Sequence, residues 1–146
     1  MASSFDALGF KLHHVGIVAK DIEAESRFYT ETLGYTERTG IIHDPLATAH
    51  VQFLMLNDDD HYVELVAPDG PQSKLSRAAK KGLPLNHLCY STLDIEGALQ
   101  SVREAGSFVV QEPTPAVAFG MRRIAWFLTP DALLIELVER GGAGEL

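Results

Sequence analysis

The chain has 146 residues, 46% of them hydrophobic, and carries a formal net charge of −8 at pH 7. That size suits one compact domain, and the dispersed acidity excludes nucleic acid as a main partner, because phosphate binding needs clustered cations. No apolar run approaches a membrane span, the N-terminus lacks a signal-peptide core, and the lone cysteine, Cys89, cannot close an internal disulfide, so a cytoplasmic protein is expected.

Residues 12–18, apolar and β-branched, read as a first strand. Asp21 then N-caps a helix carrying Ile22, Tyr29 and Leu33 on one side and closed by Gly34. Strands are expected at 35–42, 49–56 and 61–67, the last two joined by a turn at Asn57-Asp-Asp-Asp60. A linker at 69–83 holds a short basic helix (74–81), which reads most simply as a soluble face, with contact to a phosphate as the alternative. The order then repeats. Residues 85–91 form a strand, and Asp94 caps a helix bearing Ile95, Ala98, Val102 and Ala105 that ends at Gly106. Strands follow at 108–111, 122–128 and 133–139. All 7 prolines fall between these elements. Residues 141–146 have little to pack and read as a frayed tail.

The two halves also match residue by residue. His14-Val-Gly-Ile-Val-Ala-Lys-Asp21-Ile22-Glu23 recurs as His87-Leu-Cys-Tyr-Ser-Thr-Leu-Asp94-Ile95-Glu96, an offset of 73 (87 − 14), and Val63-Glu64-Leu65-Val66 recurs as Ile135-Glu136-Leu137-Val138, an offset of 72 (136 − 64). An internal repeat of this size specifies two βαβββ modules, about 11–68 and 84–139, within one domain spanning 1–146, with the linker helix at 69–83 and the tail at 140–146. The expected architecture is α+β: tandem modules forming a curved sheet around one metal site.

Strand parity places one polar residue, His14, Glu64, His87 or Glu136, opposite apolar neighbours in each of four strands. Any one of them alone suits an ordinary wet sheet face. Together, at paired repeat positions, two imidazoles and two carboxylates suit a divalent ion such as zinc, cobalt, nickel, manganese or iron(II). Four protein ligands leave room for substrate or water. His13 has the opposite parity and reads as structural, while His43 and His61 lie near turns. His50 and Gln52 share a strand face opposite Val51, Phe53 and Met55 and are candidates to line the same trough, as substrate contacts or as a solvated face. Arg122, at the repeat position of His50, is a candidate for an anionic substrate group. Cys89, among apolar neighbours, reads as a small buried residue.

Leu12-His-His14-Val-Gly-Ile-Val, Tyr62-Val-Glu64-Leu-Val-Ala-Pro68, Asn86-His87-Leu and Leu133-Leu-Ile-Glu136-Leu-Val resemble the vicinal oxygen chelate (glyoxalase/bleomycin resistance/dioxygenase) superfamily, over residues 11–139. Within it they are most similar to methylmalonyl-CoA epimerases. The resemblance implies a single divalent metal ion bound by His14, Glu64, His87 and Glu136, and an isomerase or epimerase acting on an acyl-CoA-like substrate; Glu64 and Glu136, at equivalent positions in the two halves, are the candidates for acid and base. Some bacterial epimerases place a catalytic glutamate on the strand before the second ligand and use glutamine as that ligand; here the corresponding pair reads Gln52 and Glu64. The same ligand set matches glyoxalase I-like lyases acting on a thiol adduct of a 2-oxoaldehyde. A binding protein that sequesters a drug or metabolite is the alternative from another class. The expected partners are a small-molecule substrate and a second copy of the chain, with no nucleic acid and no membrane.

Overall fold

A computed structural model describes residues 6–146. The strands and helices run β1 (Lys11–Val18), α1 (Ile22–Arg27), β2 (Thr36–Glu37), β3 (Ile42–Asp44), β4 (Ala49–Met55), β5 (Tyr62–Pro68), α2 (Ser76–Lys81), β6 (Leu85–Thr92), α3 (Ile95–Glu104), β7 (Phe108–Pro115), β8 (Arg123–Leu128) and β9 (Leu134–Glu139). This is the expected α+β class, with the βαβββ order kept in the second half and one strand of it split in two in the first. The chain divides into two compact units, His14–Asn86 and a second in which the segment ending at His13 joins His87–Leu146.

In the first unit the strands follow the order β2-β4-β5-β1, with β3 also pairing to β4. β1 and β5 run parallel, and β5 and β4 antiparallel. Asp21 caps α1 as its short carboxylate predicts, accepting from the backbone N–H of Ala24 at 3.1 Å. The helix predicted to reach Leu33 stops sooner. After Arg27 the chain widens into a π-helical turn, Phe28–Thr32, where the Thr30 hydroxyl donates to the carbonyls of Ser26 and Arg27. Such back-bonding competes with the regular ladder, and Leu33 is left exposed. The strand expected at 35–42 also breaks, into β2 and β3. Between them, Thr39 spends its hydroxyl on Phe53 N–H and its carbonyl on the Gln52 amide.

In the second unit the order is β6-β9-β8-β7. Asp94 caps α3 through Gly97 N–H at 2.9 Å, and its carboxylate leans over Gly97, where a Cβ would sit 2.3 Å from Oδ2 and would turn the carboxylate aside. Ile95, Ala98 and Leu99 of α3 pack with Ala125, Phe127, Ile135 and Leu137 of β8 and β9, and Leu8 completes this core. Leu8 is fixed there by its carbonyl, which accepts from Leu93 N–H and the Thr92 hydroxyl at 2.8 Å each.

Two expectations from proline and from the tail need correction. β7 runs on to Pro115 and so contains Pro113, which is tolerated because β7 is an edge strand whose register with β8 slips between Gln111 and Thr114. Pro68 likewise ends β5. The tail is not frayed: Arg122 gathers it, donating from Nη1 to Glu139 O at 2.9 Å and from Nη2 to Leu146 O at 2.5 Å.

Candidate functional site

Each unit builds one buried histidine–carboxylate pair, and in each the strand register explains why. In the parallel β1–β5 ladder Gly16 lies beside Glu64, so His14, two residues earlier, projects from the same face as Glu64. His14 Nε2 stands 3.4 Å from Glu64 Oε1. His14 is fully buried and Glu64 is 6% exposed. On β4, Phe53 is the direct cross-strand partner of Glu64, and its ring meets that of His14 edge-on, 5.3 Å between centroids at 76°.

The second unit repeats this construction. Cys89 lies beside Glu136 in the parallel β6–β9 ladder, and His87 Nε2 stands 3.7 Å from Glu136 Oε1. Trp126 is the cross-strand partner of Glu136 and meets His87 edge-on, 4.8 Å between centroids at 79°. Exposure is 2% for His87 and 4% for Glu136. Cys89 is buried, as expected.

These separations exceed the distances usual for an N–H···O hydrogen bond, roughly 2.7–3.2 Å. They approach the edge of a coordination polyhedron, since two donors each about 2.0–2.1 Å from one ion at a tetrahedral angle lie about 3.3 Å apart. The chemistry agrees. A carboxylate this deeply buried is costly without a cation, and imidazole nitrogen with carboxylate oxygen is a donor set for borderline divalent ions. Each pair therefore fits metal ligation.

The sequence expectation fails for three other residues. Gln52 pairs across the ladder with Leu65, and His50 with Ala67, so both project from the face opposite Glu64. They are not companions of the ligand pair. Gln52 donates instead to Thr39 O at 3.2 Å, its buried Oε1 has no hydrogen-bond partner among the described residues, and the His50 ring lies 4.9 Å from that of His43. The placement also removes Gln52 as the counterpart of a catalytic residue facing Glu64. Arg122 lies outside β8 and spends its guanidinium on the carbonyls of Phe119, Glu139 and Leu146 and on Glu145, a structural role that leaves no fork for a substrate anion.

Phe53 and Trp126 are the site residues that parity reasoning missed. The signal was present, because the offset between them is the repeat offset of 73 (126 − 53) and both are aromatic. His13 behaves as expected, buried with its ring edge-on to Phe119 at 5.4 Å. His43 and His61 pair with Asp69 and Asp60 respectively near turns.

Residues 13–126 match the profile of the Glyoxalase/Bleomycin resistance protein/Dioxygenase superfamily, and the chain belongs to that family. A curated relative, the ethylmalonyl-CoA/methylmalonyl-CoA epimerase of Cereibacter sphaeroides, is 30% identical over 109 residues, covering 73% of this chain and 79% of the relative. Among solved structures, a hypothetical protein from Bacillus halodurans superposes with a TM-score of 0.81 at 25% identity, over 94% of this chain and 99% of its own. The methylmalonyl-CoA epimerase of Mycobacterium tuberculosis has the same fold, with a TM-score of 0.78 at 23% identity over 97% of this chain and 94% of the other.

Proposed function

We infer that the chain is a divalent-metal-dependent epimerase of a 2-substituted acyl-CoA. The observation that carries this reading is the duplicated His/Glu pair, His14 with Glu64 and His87 with Glu136, each buried and each at ligand-like spacing. Kinship with an acyl-CoA epimerase supports it. In this reading both modules form one domain, and the two pairs together hold one ion. When bound, the ion supplies Lewis-acid stabilisation to the oxygens of a chelating substrate and lowers the cost of removing the neighbouring proton.

Glu64 and Glu136 would carry the proton. They occupy equivalent positions in the repeat, so one is offered as base and the other as acid toward the two faces of a planar carbon centre. A carboxylate that ligates a cation is a weak base, because the cation stabilises its charged form. One glutamate must therefore loosen as substrate binds. His14 and His87, each braced by an aromatic edge, keep their nitrogens aimed while it does so. We expect a cytoplasmic homodimer whose partner is a small molecule.

The test is solvent-deuterium exchange into the substituted carbon of a panel of 2-substituted acyl-CoA thioesters, with and without chelator. Exchange that stops on chelation and returns with added metal supports the reading. A second reading is favoured by the carboxylate at position 64: a lyase acting on the thiol adduct of a 2-oxoaldehyde. Turnover of such an adduct without thioester exchange would select it. Tight binding of a small molecule with neither reaction would select a sequestering protein.

A further inference from the structure

We propose that the cleft between α2 and the ends of β1 and β5 is the binding site for the nucleotide phosphates of a coenzyme A substrate. This rests on the acyl-CoA reading above. A cleft of about 440 Å³ is lined by Lys20, Pro68, Gly70, Ala79 and Lys80. Its electrostatics depart from those of the rest of the molecule. In a chain of net charge −8, no Asp or Glu occurs from Gly70 to Leu93, while Lys74, Arg77, Lys80 and Lys81 fall within that stretch. Lys20, Arg77, Lys80 and Lys81 are all exposed, and none of them makes an ion pair among the described residues. Unneutralised lysines around a concavity suit an anion of high charge density, which a lysine ammonium meets as a point charge.

The cleft is also built to stay in place. The loop leading into α2 is tied to the start of β4. Ser73 Oγ donates to Thr48 O at 2.6 Å, Lys74 N–H donates to Thr48 Oγ1 at 2.9 Å, and Asp69 N–H donates to Thr48 O at 3.1 Å. Two acids adjoin lining residues in sequence, and both are engaged: Asp69 pairs with His43 at 3.0 Å, and Asp21 accepts from Ala24 N–H at 3.1 Å. Gly82, in the left-handed conformation, ends the helix after Lys81.

Position along β5 then links cleft and chemistry. Pro68, a lining residue, shares strand parity with Glu64 and lies four residues further along β5, about 13 Å at the usual rise per residue. An extended pantetheine arm bridges such a span, placing a thioester toward Glu64 and the phosphates between Lys20 and Lys80.

Calorimetric titration with coenzyme A and, separately, with pantetheine tests the proposal on the full chain. We expect coenzyme A to bind with an affinity that falls as salt rises, and pantetheine to bind at least about tenfold more weakly. Lys20→Ala/Lys80→Ala should weaken coenzyme A binding about tenfold, whereas Lys80→Arg, which keeps the charge, should stay within about twofold of the native protein. Coenzyme A binding that is absent, insensitive to salt or equal in the double alanine variant overturns the site. The epimerase reading fails separately, through absent deuterium exchange in a native protein whose coenzyme A binding still depends on the two lysines.

Discussion

The two modules differ on almost every surface and agree where histidine meets glutamate. Module 1 has a two-turn helix that widens into a π turn, and an outer strand broken in two; module 2 has a ten-residue amphipathic helix and one long, slipped edge strand. Yet Gly16 and Cys89, Phe53 and Trp126, and Glu64 and Glu136 hold the same ladder positions. An internal repeat keeps the geometry that aims four side chains and lets the outer layers drift. Within this comparison the two pairs need not be equal. His14–Glu64 is the closer pair and His87–Glu136 the looser, at 3.4 and 3.7 Å.

The largest effects should come from the carboxylates. Glutamine keeps a ligand oxygen but cannot take a proton, so Glu64→Gln and Glu136→Gln separate ligation from proton transfer. At least one should retain metal while deuterium exchange falls by about 10²-fold or more. Both retaining metal and near-native exchange would show that the base lies elsewhere.

Next in size is the aromatic brace. Phe53 is fully buried, and Phe53→Ala should lower unfolding stability by about 3–5 kcal/mol in urea titrations. Trp126 is only half-buried, so Trp126→Ala should cost less. An equal or larger loss for Trp126 would mean that the modules do not share their load as their burial implies.

The smallest effect distinguishes a feature of module 2 alone. Arg123 bridges Glu96 and Glu139, and its hydrogen bond holds the Glu139 carboxyl below the usual carboxylate range. The offset of 73 that relates Phe53 to Trp126 makes His50 the module 1 counterpart of Arg123, and not of Arg122 as the sequence offset of 72 implied, and His50 makes no such bridge among the described residues. A lowered folded-state value stabilises the fold at pH above the ordinary carboxylate range, and that contribution is lost as pH falls through the lowered value. Comparing Arg123→Met with the native protein in urea should show a small gap at pH 7 that narrows toward pH 3. A gap that widens in acid would contradict the sign.

Much of this was legible in sequence because it depends on spacing. The repeat offset placed all four ligand candidates on the correct strands, and Asp21 and Asp94 marked both helix starts. What failed depends on pairing between strands. Parity along β4 separates Gln52 from Phe53, but only the register with β5 shows that Phe53 is the one beside Glu64. The Arg122 cluster was equally hidden, since its partners at Glu139, Glu145 and Leu146 are distant in the chain and carry no periodic signal. Likewise the π turn, where the Thr30 hydroxyl donates to the Ser26 carbonyl, corresponds to no pattern of hydrophobicity.

Metal stoichiometry tests the central claim, that the two pairs serve one ion, most directly. Equilibrium dialysis against zinc or cobalt, followed by elemental analysis per chain, should give one equivalent for the native protein. His14→Ala and His87→Ala should each lose most of it, because each removes a ligand from the same ion. Two equivalents in the native protein, or one full equivalent retained by both single variants, would contradict the shared centre.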